Sequence, residues 1–194
     1  MSFKTVDLFG GAMQIQVPAS FDDVSTLRDV PDHQEVFCDR QGDDSLIVEL
    51  LGYEDDIDNG DAAAYFFAQL AKDNEAKEAG VMRVDVLAES DVPGVPASPF
   101  RSLLVGRQAV AKFNEAATNV VEIYVANVRL PAQTTDVLIT YNRAVVVNPE
   151  SSSATSMEKA YGKDSLKITP EDQAQLAVKT ALASFTIRDF SLFG

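Results

Sequence analysis

Apolar and polar residues trade places every second position through much of the first fifty residues, the period of strands with one wet face. From Ala12 to Val17, Met13, Ile15 and Val17 alternate with Ala12, Gln14 and Gln16, Gly10 and Gly11 precede them as a turn, and Pro18 ends the strand. Asp22 to Leu27 follows as a short helical turn whose Val24 and Leu27 point inward, then Gln34 to Cys38 reads as a second strand and Leu46 to Leu50 as a third. Glu49 interrupts the third strand. An unpaired buried carboxylate costs several kcal/mol or shifts its pKa, so Glu49 either faces water on an antiparallel strand or is held on a rigid element for a partner.

Carboxylates crowd the stretch from Asp39 to Asp61, offset only by Arg40. A calcium loop with Gly60 at its sixth position fails, because Ile57 falls third and Phe66 twelfth, where oxygen ligands are required. Glu54 to Asp61 therefore reads as a solvated loop, with Asp61 capping a helix over Ala62 to Ala76 that turns Tyr65, Phe66, Leu70 and Gln69 to the sheet. A strand from Met82 to Leu87 and a three-proline loop from Asp91 to Pro99 follow. Arg101 to Phe113, Asn119 to Leu130 and Thr135 to Asn142 are strands with short connectors, hence an antiparallel meander.

Asn148 to Lys167 has few large apolar residues and is expected to be a mobile excursion. At Thr169, T-P-E-D supplies a capping hydroxyl, a first-turn proline and early acids for a last helix carrying Leu176, Val178, Leu182 and Phe185 inward. With no repeat and no linker, the order of elements predicts one α+β domain over residues 1–194, an antiparallel sheet covered by helices.

Composition narrows the function. Thirty acids against 16 bases give a formal charge of −14, which disfavours a grip on nucleic-acid phosphate and suits a basic protein partner. The single Cys38 cannot close an internal disulfide, no secretory leader is visible, and no apolar run reaches the length of about 20 residues of a membrane helix. Both phosphate-loop glycine spacings are absent. One histidine, His33, rules out multi-histidine metal sites and leaves any Ser-His-Asp triad a single possible base, while an inward Cys38 disfavours a Cys38–His33 pair, so neither enzyme chemistry nor a cofactor is expected.

Four blocks carry a resemblance. The L-F-G-G-A of Leu8 to Ala12, the D-V-S-x-L-R-x-V-P-D-x-Q-E-V-F of Asp23 to Phe37, the S-L-I-V-E-L-L of Ser45 to Leu51 and the R-L-P-x-x-x-T-D-V-L-I-T-Y-N of Arg129 to Asn142 resemble the Mog family of Ran guanine-nucleotide-release factors, as does the closing S-L-F-G. The resemblance implies a PsbP-like fold with a central sheet of about six strands. It implies binding to the GTPase Ran, release of its guanine nucleotide and support of nuclear import in nucleus and cytoplasm, by one copy acting alone or with a Ran-binding protein. By position in the blocks, Asp23, Ser25, Arg28, Asp32, Gln34, Glu35 and Glu49 are expected to touch Ran, while Leu27, Val30 and Pro31 shape the turn. The family's acid three places beyond Glu49 is replaced by Gly52, so either Glu54, Asp55 or Asp56 supplies that charge from the adjoining loop or the affinity is weaker. A Glu49→Lys protein should then lose about 2–5 kcal/mol of binding with little change in thermal stability. The alternative is an adaptor that uses the same acidic surface and leaves nucleotide alone.

Overall fold

The computed structural model describes residues 1–95, 100–111, 118–151, 154–155 and 168–193. Ten strands and two helices occur among them: β1 (Phe3–Leu8), β2 (Met13–Pro18), β3 (Phe21–Asp23), β4 (Gln34–Asp39), β5 (Ser45–Gly52), α1 (Ala62–Asp73), β6 (Glu78–Val86), β7 (Phe100–Val110), β8 (Asn119–Leu130), β9 (Thr135–Val146), α2 (Glu171–Ser184) and β10 (Thr186–Ile187). The architecture is α+β, as expected, but the sheet has seven strands in the order β3-β4-β5-β9-β8-β7-β6, and β1, β2 and β10 form a second sheet. The meander of β7, β8 and β9 is antiparallel throughout.

The large sheet is covered on both faces. On one, Met13, Ile15 and Val17 of β2 join Ala174, Ala177, Val178, Ala181, Leu182 and Phe185 around α2, over Leu46, Val48, Tyr124, Val137, Ile139 and Tyr141 of the sheet. The alanines let α2 lie close. Gly94 does the same for the chain ahead of β7, since a Cβ there would meet the Phe185 carbonyl oxygen at 2.2 Å. On the other face, Ala63, Phe66 and Phe67 of α1 pack on Leu104, Ile123, Val125 and Leu138. A Cβ on Gly106 would stand 2.6 Å from the Phe67 ring, so glycine there admits the helix.

Several local expectations are corrected. Leu27 is 81% exposed, because the 3₁₀ turn Val24–Thr26 closes before it and only Val24 is buried. Leu176 is also exposed: the buried stripe of α2 runs through Ala174, Ala177, Val178, Ala181 and Leu182, small residues that a search for large apolar ones passes over. The inward aromatics of α1 are Phe66 and Phe67, with Tyr65 half-buried. Neither helix has a side-chain cap. Asp61 has helical backbone angles and gives its carbonyl to the Tyr65 N–H, and the Thr169 hydroxyl engages Asp44 instead of the helix. β6 begins at Glu78, four residues before the pattern suggests, and β9 runs on to Val146. Phe113, Pro96 to Pro99 and most of the 148–167 excursion lie outside the described residues.

The largest fully buried side chain is a charged one, Arg129. Its Nε donates to Asp136 Oδ1 at 3.1 Å, its Nη1 to the Ile57 carbonyl at 2.6 Å and to Asn59 Oδ1 at 3.1 Å, and its Nη2 to the Glu54 carbonyl at 2.6 Å. The Tyr53 ring lies 4.1 Å from the guanidinium carbon. Asp136 also accepts from Asn127 Nδ2 and the Glu54 N–H, both at 3.1 Å. The acidic loop after β5 is thus folded around one cation. An Arg129→Met protein leaves Asp136 as an uncompensated buried charge and should lose about 3–5 kcal/mol of stability, read from the urea midpoint.

Candidate partner-binding surface

β5 carries Glu49 into the middle of a cross-strand row, opposite Gln34 of β4 and Leu138 of β9. Leu138 packs under α1, so Glu49 belongs to the same face of the sheet. Because α1 rests on β6, β7 and β8, the β4–β5 side of that face is less covered, and Cys38, Ser45 and Ile47 are half-buried there. Beyond them a groove of ≈ 270 Å³ opens between the β4–β5 hairpin and the end of α1, lined by polar groups such as Asp43, Asn74, Asn119 and Asn142.

Glu49 is neither freely displayed nor unpartnered. It is 8% exposed and accepts a 2.6 Å hydrogen bond from Gln34 Nε2. Burial raises its pKa above the ordinary glutamate value and Asp73 adds to that, against the Gln34 hydrogen bond and the charge of His33. The expectation that Glu49→Lys would spare stability is therefore corrected: a site costly for a carboxylate is costly for an ammonium too, and the hydrogen bond from Gln34 would be lost.

The turn before β4 is fastened beside Glu49, with the Leu50 N–H bonded to the His33 carbonyl at 2.9 Å and the Gln34 N–H to that of Pro31 at 2.9 Å. Within it Asp23 Oδ1 accepts the Ser25 N–H at 2.8 Å and the Thr26 hydroxyl donates to the Asp23 carbonyl. Asp23 therefore shapes the turn. Ser25, Leu27, Arg28, Asp32 and His33 form its exposed outer side.

Glu35 goes elsewhere. It lies opposite Val48, a residue of the α2-side core, and its Oε1 accepts the Phe9 N–H at 2.6 Å. That bond fixes the turn at Phe9 to Gly11, where Phe9, Gly10 and Gly11 all have positive φ. The structure thus joins Gln34 and Glu49 directly, leaves Ser25, Arg28 and Asp32 exposed in the chain ahead of β4, and puts Glu35 on the opposite face of the sheet. Past the end of β5, Asp55, Asp56 and Asp58 are exposed and Glu54 is half-buried. Gly52 is exposed too, with nothing within 4 Å of a Cβ built there.

Sequence reading missed Leu27 as a surface residue, since an apolar residue at that spacing looks like core. Nothing in the string marks it out.

The family model described as Ran-interacting Mog1 protein matches residues 6–144. The chain belongs to the Mog1 family. Among its Mog1-family relatives, the probable Ran guanine nucleotide release factor of Dictyostelium discoideum is 36% identical over 99% of this chain and 97% of that protein. The Ran guanine nucleotide release factor of Danio rerio is 43% identical over 79% of this chain and 85% of its own. The crystal structure of the Saccharomyces cerevisiae Ran-binding protein Mog1p superposes with a TM-score of 0.70 at 26% identity, covering 100% of both chains. Among the described residues no His, Cys, Asp and Glu cluster could hold a metal ion, and no helix is long and apolar enough to cross a membrane.

The raised pKa of Glu49 has a definite sign in stability. A carboxyl that holds its proton more tightly when folded favours folding in acid, and that advantage is lost as pH rises through its folded pKa. Glu49→Gln keeps the shape and removes the charge. Its melting temperature relative to the parent should therefore be higher near pH 7 than near pH 4, as calorimetry across that range would show.

Proposed function

We propose that this Mog1-family chain binds the GTPase Ran and promotes release of its guanine nucleotide, supporting nuclear protein import as a regulator rather than a catalyst of bond-making. The observation that carries this reading is near full-length similarity to proteins named Ran guanine nucleotide release factors. Their relatives in the two yeasts are named nuclear import proteins, consistent with action in nucleus and cytoplasm.

The contact surface we assign runs from the turn through Ser25, Leu27, Arg28 and Asp32 to Gln34 and Glu49, and on to the acidic loop of Glu54, Asp55 and Asp56. Asp23 acts by holding the turn of that surface in place, whereas Glu35 fixes the Phe9–Gly11 turn on the far face of the sheet. Leu27 supplies the apolar anchor that a charged patch lacks, since interfaces take most of their energy from a few desolvated side chains. The acids supply steering toward a basic partner, which salt weakens.

Linkage constrains the mechanism. A factor that expels nucleotide must bind empty Ran more tightly than loaded Ran, and the nucleotide must weaken the factor by the same ratio. An equal binder would release nothing. Carboxylates on a stiff loop suit this role, because they can engage cationic and N–H groups that phosphate would otherwise hold. A Ran-binding protein acting as helper would add to this differential affinity. An adaptor using the same surface would bind Ran, or another protein, and leave the nucleotide off-rate unchanged.

Release of a fluorescent guanine nucleotide from loaded Ran should accelerate with added protein, and the acceleration should fall as salt rises. An unchanged off-rate at low ionic strength overturns the reading. Leu27→Ala should weaken binding by about 1–2 kcal/mol without lowering the melting temperature, as its side chain already stands in water. Gly52→Glu should tighten binding by about 0.2–1 kcal/mol, the range of an exposed charge pair; titration calorimetry against Ran would measure both.

A further inference from the structure

The two edges of the large sheet differ. One ends in the three-residue β3, too short to template another strand, whereas the other is the nine-residue β6. Every residue of β6 is exposed, and among the described residues no segment pairs with its outer edge. Val81, Met82, Val84 and Val86 are exposed by 49%, 56%, 42% and 71%. Four large apolar side chains on an unpaired edge call for a cover.

We propose that the cover is β6 of a second copy, paired antiparallel across a two-fold axis through Val84. Three observations select this occupant and this register. First, the hydrogen-bonding groups are aimed correctly. The Leu87 N–H bonds the Arg101 carbonyl, so by the alternation of an antiparallel ladder Val86 and Val84 turn their N–H and C=O groups to the open edge. Val84 opposite Val84 of the second copy exchanges two such bonds.

Second, the charges fit themselves. Arg83 and Asp85 stand on one face of the strand, 3.1 Å apart and about half exposed. Edge charges normally prevent pairing, and a lone arginine would repel its copy. With Val84 on the axis, Arg83 meets Asp85 of the other copy and Asp85 meets its Arg83, so the four charges alternate in sign. Third, the same register carries Val86, the most exposed apolar side chain of the strand, to the bulge at Met82 of the other copy, and does so twice.

The register shift between Val81 and Arg83 limits regular pairing to the second half of β6. Such a contact falls well short of the roughly 800 Å² per partner of a standard interface, so the dimer is weak, with a Kd on the order of 0.1–1 mM. This departs from the expectation that one copy acts alone. It does not involve the Glu49 surface and stands independently of the Ran reading.

Sedimentation equilibrium of the whole chain at rising concentration should show mass shifting toward the dimer by about 1 mM. Arg83→Asp and Asp85→Arg should each weaken self-association roughly tenfold, because each sets like charges opposite one another. Mixing these two variants should restore association, since every pair across the axis is then of opposite sign. Val84→Pro, which removes only an N–H that β7 does not use, should leave the melting temperature nearly unchanged and abolish the dimer. A parent protein that stays monomeric at that concentration overturns the proposal. So does a mixture of the two charge variants that associates no better than either alone.

Discussion

Arg129 and Asp136 face each other on adjacent strands with almost no exposure, and the end of the sheet is built around them. Burying an ion pair gains little by itself, because desolvation offsets most of the Coulomb attraction. What this pair achieves is geometrical. Once the guanidinium is inside, its remaining N–H groups must be satisfied, and the carbonyls of Glu54 and Ile57 and the Asn59 side chain do so. Six residues of a loop rich in like charges are thereby bound to the sheet from within. The carboxylates of Asp55, Asp56 and Asp58 stay outside in water.

The same division of labour recurs at the other polar centres. Glu122 accepts from Tyr124, Arg143 and Arg107, and Arg143 also donates to the Thr169 carbonyl just before α2. Burial would raise the pKa of Glu122, but hydrogen bonds from Arg107 and Tyr124 and the charges of Arg143 and Arg107 outweigh it and lower it. Asp44 accepts from Tyr141 and the Ala144 N–H, and burial raises its pKa despite those bonds. Each centre joins a strand of the sheet to the chain outside it. Glu49 differs in having one neutral hydrogen-bond donor and a burial penalty, on a face that α1 leaves partly open. A carboxylate held in that condition gains more from meeting a cation than one already paired, which supports including the end of β5 in the proposed contact surface.

Much of the fold could be read from the string because its signals are local. Strands with one buried face alternate, as Met13, Ile15 and Val17 do, and short connectors oblige β7, β8 and β9 to pair as neighbours. The errors share a cause as well. Leu27 and Leu176 were expected inside because they are large and apolar, yet Leu27 follows a closed turn and Leu176 lies off a stripe made largely of alanine. Small residues leave a faint periodic signal even where they form the tightest helix contact. The caps expected at Asp61 and Thr169 are absent for another reason: Asp61 takes helical rather than extended backbone angles, and the Thr169 hydroxyl engages Asp44.

The order of strands and helices, the antiparallel meander, the acidity and the family likeness all follow from residue types and their spacing, which sequence carries in full. Which carboxylates are exposed does not. Glu35 and Gln34 are neighbours in the chain, but the pleat sends one to the N-terminal turn and the other to Glu49. Arg129 and Glu54 are 75 residues apart and meet only because β8 and β9 bring the guanidinium under the end of β5. A side chain's partner is set by which strands lie side by side and which face each residue takes. Long-range pairing alone decides that, so it became visible only once the chain was folded.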